Sequence, residues 1–119
     1  MKKIIYISGP MSGIENHNVD AFNEAQRKLE ELGHIVLNPA VNPAGLTYQQ
    51  YMTIDFAMLS VCNTIYMLTG HKNSPGAKAE LAYANSCNFN VVYQSAYDYV
   101  ALSALQPRDE LSTENVDNQ

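Results

Sequence analysis

One glutamate, Glu80, stands in a segment made mostly of small residues. Residues 74–84 read SPGAKAELAYA. Ser74 suits the N-cap of a helix and Pro75 suits its first position, so the segment predicts a helix that begins there. Because Gly and Ala leave room for a ligand or another backbone to approach, Glu80 has two interpretations. It is either a surface residue paired with a lysine or a carboxylate directed into a site.

Two further residues have side chains suited to the same chemistry. Asp55 shares one predicted helix face with Tyr48, Met52 and Leu59. Burying an unpaired charge is costly, so Asp55 either has a partner inside a pocket or lies at the edge of the face and reaches water. Tyr6 lies in a predicted strand, where its hydroxyl group is either satisfied within the core or directed toward a carboxylate.

The elements that must position these residues alternate along the chain. Apolar, β-branched runs predict four strands, and apolar residues spaced three and four apart, together with capping signals, predict the helices between them. The strands are expected at residues 3–8, 34–37, 63–69 and 89–93, and the helices from about 19 to 32, 47 to 60, 74 to 88 and 95 to 105.

This alternation predicts an α/β fold with a flavodoxin- or Rossmann-like parallel sheet, strand order about 2-1-3-4 and helices on both faces. Such sheets bind ligands where the strand order reverses, here between strands 1 and 3. Two loops then border the crevice: residues 9–18, the first lip loop, and residues 70–74, the second lip loop. The helix beginning at Ser74 favours an anion there, which predicts a small phosphorylated or hydroxyl-rich ligand beside Glu80. His17 and His71 lie in these loops and have the pattern of ordinary loop histidines.

Composition narrows the classes of protein to which the chain could belong. The chain has 119 residues and a net charge of -5 without a basic run, so we expect no binding to duplex nucleic acid. Its first apolar run is too short for a signal peptide or a membrane span, which predicts a cytoplasmic protein without a membrane partner. Cys62 and Cys87 have no metal-type spacing, and we expect buried free thiols, no metal and no cofactor. Residues 1–105 form the predicted domain, and the acidic, polar residues 106–119 a disordered tail.

These residues resemble a known family. The sequence IYISG at residues 5–9, Asp55 in a helix before Cys62 and Asn63, and the 74–84 segment are similar to the nucleoside 2-deoxyribosyltransferase superfamily, which includes 2′-deoxynucleoside 5′-phosphate N-hydrolases. The resemblance covers about residues 3–94. The start YISGPMSG is most similar to small uncharacterised members that are common in phage and bacterial genomes, which implies a host cytoplasm if the chain is phage-encoded.

The resemblance implies a mechanism and a set of site residues. Glu80 would attack the anomeric carbon of the sugar, Asp55 would protonate the departing base and Tyr6 would hold the Glu80 carboxylate. The serine at position 74 implies a nucleoside 5′-monophosphate rather than a nucleoside. The implied substrate contacts are Ser8, Gly9, Pro10, Met11, Ser12, Lys72, Ser74 and Gly76.

The chain departs from the family pattern in two places. Phosphate-selective relatives carry basic residues in the first lip loop, whereas residues 10–15 have none, and Asn63 occupies a position where aspartate is common. In relatives a neighbouring subunit completes the site, which implies a homodimer or a higher even oligomer.

Two functions remain open. One is an enzyme that cleaves or transfers the N-glycosidic bond of a nucleoside or nucleotide through a covalent glycosyl-Glu80 intermediate. The other is a non-catalytic protein that binds or sequesters a nucleotide in the same pocket. Both predict binding, but only the first predicts release of free base that depends on Glu80. A flavodoxin-like domain that binds FMN is a weaker third interpretation, because the first lip loop lacks a Ser/Thr-rich phosphate cradle.

Overall fold

A computed structural model describes residues 2–94 and has four parallel strands and three α-helices in that range. The strand order is β2-β1-β3-β4, and every neighbouring pair is parallel, which confirms the predicted fold class. The elements are β1 (Ile4–Ser8), α1 (Val19–Glu31), β2 (Ile35–Leu37), α2 (Tyr48–Leu59), β3 (Thr64–Met67), α3 (Pro75–Ser86) and β4 (Asn90–Tyr93). The helix predicted at 95–105 and the tail predicted at 106–119 lie outside the described residues.

Capping residues begin two of the helices where the sequence predicts. At the start of α2, Thr47 and Gln50 form a reciprocal capping box. At the start of α3, the Ser74 hydroxyl oxygen accepts a hydrogen bond from the backbone N–H of Ala77 at 3.1 Å. Each cap satisfies an N–H that the first turn of a helix leaves without a partner, so these signals set where α2 and α3 start.

The core has one layer on each face of the sheet. On one face, Ile5 and Ile7 of β1 pack with α1. On the other face, Tyr6 packs in the layer that α2 and α3 cover. Because side chains alternate along a strand, Ser8 points to the same face as Tyr6. The carboxyl-terminal part of β1 thus directs two hydroxyl groups, those of Tyr6 and Ser8, toward α2 and α3.

The two lip loops meet at the carboxyl ends of β1 and β3. A Cβ atom at position 9 would lie 2.7 Å from the Cβ of Leu68, so only glycine allows this close approach. The backbone N–H of Leu68 donates to the carbonyl oxygen of Ser8 at 2.8 Å. A Cβ at Gly70 would lie 3.2 Å from Cγ of Pro10, so the second lip loop packs against the first. The backbone around Ser8 is therefore held in place by contacts with Leu68 and with the second lip loop.

The first lip loop ends in a turn that sequence reasoning treated as plain loop. Asn16, His17 and Asn18 have φ of 51°, 53° and 63°, a left-handed conformation that costs free energy in residues other than glycine. The Asn18 side-chain amide donates to the carbonyl oxygen of Pro10 at 2.9 Å and closes the loop. The end of the first lip loop consequently has a defined backbone conformation that is closed onto Pro10.

The thiols differ from the expectation of burial. Both are free, but Cys62 is only half-buried and Cys87 is exposed. Cys87 is the C-cap of α3 and lies beyond Ala84, the last buried residue of that helix. The prediction of two buried thiols was therefore wrong for the second cysteine. Within residues 2–94, no helix combines the length and the apolar character needed to cross a bilayer.

Candidate active site

Glu80 lies inside the protein, on the side of α3 that faces β1. Only 5% of its surface is exposed. The Tyr6 hydroxyl donates to Oε2 at 2.9 Å and the Ser8 hydroxyl donates to Oε1 at 2.6 Å. These contacts exclude the interpretation of Glu80 as a surface residue paired with a lysine. Each carboxylate oxygen instead accepts a hydrogen bond from a strand that lies more than seventy positions earlier in the chain.

Asp55 faces the same site from α2. It is buried, with 8% of its surface exposed, and it lies within interaction range of both Glu80 and Tyr6. The Asn42 side-chain amide donates to its Oδ1 at 3.5 Å. Of the two interpretations of Asp55, the structure supports the one in which it is buried with partners rather than open to water. Strand β1 and helices α2 and α3 thus each contribute a polar group to one buried cluster.

The electrostatics of this cluster favour a shared proton. Burial, opposed by the Ser8 hydrogen bond and reinforced by the charge of Asp55, raises the pKa of Glu80 to about 8. Burial also raises the pKa of Asp55, opposed by its hydrogen bonds with Glu80 and Tyr6. Two carboxyl groups this close cannot both ionise readily, so one proton belongs to the pair across a wide pH range.

The donors decide which carboxyl is ionised. A hydroxyl group has one proton to donate, and Tyr6 and Ser8 both donate to Glu80. Donation to a carboxylate stabilises its charged form, whereas a proton on Glu80 would compete with one of these bonds. These two hydroxyl bonds therefore favour the negative charge on Glu80 and the proton on Asp55, and they oppose the burial that raises the pKa of Glu80. Burial, with the nearby carboxylates, raises the pKa of Tyr6 well above its ordinary value, so Tyr6 remains a donor.

The predicted substrate contacts in the first lip loop divide by exposure. Ser12 is exposed and Gly9 is half-buried, so both can be reached from solvent. Pro10 is buried, and Met11 packs against the core layer on the α1 side. The Ser8 side chain has no exposed surface, and its hydroxyl group is directed to Glu80. Substrate contact by any of these residues stays a prediction.

At the second lip, Ser74 and Gly76 lie at the start of α3, half-buried. A Cβ at position 76 would lie 3.5 Å from the Met52 sulfur and 3.9 Å from a ring carbon of Tyr48. The start of α3 is therefore close to the start of α2, on the same side of the sheet as Glu80. The Ser74 hydroxyl oxygen is used as a helix cap, which leaves its proton to be donated to another group.

Lys72 is placed apart from the carboxyl pair. It is exposed and lines an open groove of about 570 Å³ with four other residues, His71, Lys78, Leu81 and Tyr93. The His71 ring lies 5.4 Å from the Tyr93 ring, centroid to centroid, and burial lowers the pKa of His71. His17 is exposed in the first lip loop. The structure does not bring Lys72 or these histidines into contact with Glu80 or Asp55.

Asn63 has a structural role at the opposite end of the sheet. Its Oδ1 accepts hydrogen bonds from the backbone N–H of Ile4 at 3.1 Å and from the Thr64 hydroxyl at 2.9 Å. It therefore joins the start of β1 to the start of β3, away from the carboxyl ends that hold the site. Among residues 2–94, no three His, Cys, Asp or Glu side chains come together in a way that could hold a metal ion.

Sequence comparison identifies the family. The family described as "Domain of unknown function (DUF4406)" matches residues 3–93. The chain belongs to the DUF4406 family. A search of curated proteins finds no match to this DUF4406 chain.

Solved structures show the fold of this DUF4406 member in other proteins. The 2-deoxyribosyltransferase of Bacillus psychrosaccharolyticus is 17% identical, with a TM-score of 0.61 over 76% of this chain and 70% of the other. The CMP N-glycosidase BcmB of Clostridium botulinum is 17% identical, with a TM-score of 0.54 over 87% of this chain and 83% of the other. At this identity the likeness establishes a common fold.

Sequence reasoning missed two contacts of this site in the DUF4406 chain. The Asn-Pro pair at residues 42–43 is an ordinary turn signal and gives no sign that Asn42 donates to Asp55. Ser8 was assigned to substrate rather than to Glu80. The alternation of β1 places Ser8 and Tyr6 on one face, and that signal was available in the sequence.

Proposed function

We propose that this protein is an enzyme that cleaves or transfers the N-glycosidic bond of a deoxynucleoside or nucleoside 5′-monophosphate. One observation carries the proposal: a buried carboxylate, Glu80, accepts two hydroxyl hydrogen bonds and faces a second carboxyl group, Asp55. A nucleophile and a proton donor side by side are what displacement at an anomeric carbon requires. The fold shared with a 2-deoxyribosyltransferase and a CMP N-glycosidase supports the same reaction class.

In the first step, an oxygen of Glu80 forms a bond to C1′ of the sugar. The bond between C1′ and the base nitrogen breaks, and its electron pair leaves with the base. Asp55 transfers its proton to the base, which makes the base a better leaving group. The products are a free base and an ester that joins the sugar to Glu80. Tyr6 keeps the carboxylate directed at C1′ during this step.

In the second step, the ester is resolved at the same carbon. Water, or the nitrogen of a second base, forms a bond to C1′, and the bond to the Glu80 oxygen breaks. Asp55, now ionised, accepts the proton that the incoming group loses. Glu80 and Asp55 return to their starting protonation states. Two displacements at one carbon retain the configuration of the sugar.

The start of α3 supports a 5′-phosphate on the substrate. Ser74 has a hydroxyl proton to donate, and the first N–H groups of α3 lie at the positive end of the helix. In the first lip loop, residues 10–15 include Glu15 and no basic residue, so the phosphate would depend on the second lip loop. We therefore expect a monophosphate, bound mainly by neutral donors and by the helix.

Incubation with a panel of nucleosides and nucleoside monophosphates tests the proposal, with free base measured by chromatography. Glu80→Gln should abolish base release, a loss on the order of a thousandfold or more, because the amide is a poor nucleophile. Asp55→Asn should lose less of the rate of base release, and this loss should grow as the leaving base becomes more basic. Glu30→Gln, on the exposed face of α1, is the matched control and should act like wild type.

Two outcomes would count against catalysis at Glu80. If Glu80→Gln releases base at the wild-type rate, the mechanism is wrong. If nucleotides bind to wild type but no base is released from any member of the panel, the protein is the nucleotide-sequestering alternative.

A further inference from the structure

The Ser8 hydroxyl is the closest partner of the proposed nucleophile. It donates to Glu80 Oε1 at 2.6 Å, compared with 2.9 Å for the Tyr6 hydroxyl on Oε2. Ser8 has no exposed surface, so in this structure it meets Glu80 rather than a ligand. Short hydroxyl–carboxylate bonds of this kind are charge-assisted and are stronger than those between neutral groups.

The backbone keeps Ser8 in this position. Ser8 pairs with Met67 across the β1–β3 ladder, and its carbonyl oxygen accepts from the N–H of Leu68 at 2.8 Å. Gly9 follows directly and packs against Leu68 more closely than any residue with a Cβ allows. The hydroxyl group is therefore fixed by the strand and by the closely packed lip, which is the condition for a donor that orients another side chain.

We infer that Ser8 is a positioning residue, which holds Glu80 in its ionised form and leaves the proton of the carboxyl pair on Asp55. The inference rests on the proposed function for its catalytic meaning, since turnover needs a charged nucleophile and a protonated acid. Within the described residues, the titratable groups that face Glu80 are Tyr6 from β1 and Asp55 from α2. Tyr6 donates to one oxygen only, so the second oxygen depends on Ser8.

Loss of the Ser8 hydroxyl should move the proton. In Ser8→Ala, Oε1 has no hydroxyl donor, and a proton on Glu80 no longer competes with a hydrogen bond there. The ionisation of Glu80, measured from its own carboxyl resonance, should therefore shift upward by about one pH unit or more. kcat should fall by about tenfold or more, because fewer molecules have Glu80 ionised. KM should change by less than about threefold, because Ser8 has no exposed surface with which to bind the substrate.

The experiment combines a titration with kinetics. Protein labelled with ¹³C at the glutamate carboxyl carbons is titrated by NMR, and the Glu80 resonance is assigned by its disappearance in Glu80→Gln. Wild type is compared with Ser8→Ala and with Ser8→Thr, which keeps a hydroxyl group and should restore both the titration and kcat. Ser86→Ala removes an exposed serine hydroxyl from α3, the helix of Glu80, and is the control that should change neither.

The titration does not depend on turnover, so it separates the two proposals. If the Glu80 titration is the same in Ser8→Ala and wild type, the inference is overturned, whatever the activity. If it shifts upward in a protein that releases no base, the role of Ser8 stands and the proposed function fails. Should Ser8→Ala not fold, as judged by circular dichroism, Ser8→Cys takes its place. Its weaker thiol donor should shift the titration in the same direction, and an unchanged titration would again overturn the inference.

Discussion

At the scale of single residues, the structure buries two carboxyl groups side by side, an arrangement that is unfavourable for the free energy of folding. Glu80 and Asp55 are 5% and 8% exposed, and in the described part of the chain they have no cation beside them. A fold gains nothing in stability from two buried carboxyl groups, since desolvation penalises each charge. Groups of this kind occur where chemistry needs them, and perturbed pKa values in a crevice indicate such a site.

The first prediction is that this pair makes the protein less stable as the pH rises. Burial raises the pKa of Glu80 from its ordinary 4.5 to about 8. Between these values the folded carboxyl pair of Glu80 and Asp55 holds a proton that the unfolded chain releases. Its stabilising effect is complete below about pH 4.5 and is lost as the pH rises through 8. Glu80→Gln removes one member of the pair and with it the shared proton, so at pH 9 it should be more stable than wild type by at most about 5 kcal/mol.

Denaturant unfolding at pH 5, 7 and 9 checks this prediction. The free energies of unfolding of wild type and Glu80→Gln should be similar at pH 5 and should diverge at higher pH. Glu30→Gln, which removes an exposed carboxyl group, should follow the wild-type curve. Parallel curves for wild type and Glu80→Gln would show that the pair formed by Glu80 and Asp55 does not retain a proton in the folded state.

The second prediction at this scale concerns the pH dependence of turnover. The active form has one proton on the carboxyl pair, so kcat/KM should be bell-shaped. Activity should decline above about pH 8, where burial no longer retains the proton. Asp55→Asn cannot lose a proton from this position, so its high-pH decline should be absent or weaker. A rate profile in which Asp55→Asn keeps the wild-type high-pH limb would contradict the pairing of Asp55 with Glu80.

At the scale of elements, short-range rules predicted most of the fold. Alternation placed the four strands, and the caps at Thr47 and Ser74 placed the starts of α2 and α3. Parallel pairing and right-handed connections then left few topologies, and the strand order followed. The sequence indicated the shared face of Tyr6 and Ser8, but it could not supply contacts between distant positions, such as Ser8 with Glu80. They depend on how closely α3 approaches β1, which only tertiary packing determines.

Helix α2 also shows why the sequence alone could not determine the position of Asp55. Its apolar residues lie all around the axis, and among them only Leu59 is buried together with Asp55. A helix without a single apolar stripe does not reveal its inward face, so the sequence left Asp55 with two interpretations. The structure decides between them because α2 packs beside α3, where Glu80 lies.

The third prediction belongs to the start of α3. A serine hydroxyl and helix amides suit a phosphate, and charge-assisted bonds contribute roughly 1.5–3 kcal/mol each. A 5′-monophosphate should therefore bind at least about tenfold more tightly than its nucleoside, which corresponds to about 1.4 kcal/mol. Ser74→Asp keeps a good N-cap but repels the phosphate, so this variant should prefer the nucleoside.

Calorimetry on the Glu80→Gln background checks this without turnover. Ser86→Asp is the control, because it places the same charge at the last residue of α3, the opposite end of the helix. It should retain the preference for the monophosphate. Equal affinities of the parent for the two ligands would indicate a nucleoside substrate instead.

At the scale of the whole molecule, the site lies next to apolar surface. Tyr48, at the first position of α2, is 58% exposed and is near the start of α3. Tyr51, Met52 and Ile54 on the same helix are only half-buried. Apolar residues that remain accessible beside a crevice are typical of an interface, and a reaction through an oxocarbenium-like state needs controlled access of water.

The last prediction is that the protein assembles through α2 into a homodimer or a higher even oligomer that closes the site. Light scattering at micromolar concentration should give a mass of about 26 kDa or a higher even multiple of the 13.2 kDa chain. Tyr48→Lys places a charge on this surface and should shift the protein toward monomer and lower base release together. Val61→Lys is the matched control, since Val61 is 59% exposed but lies beyond the far end of α2, and it should leave both unchanged. A fully active monomer would refute the assembly, because a site that works alone needs no second subunit to exclude water.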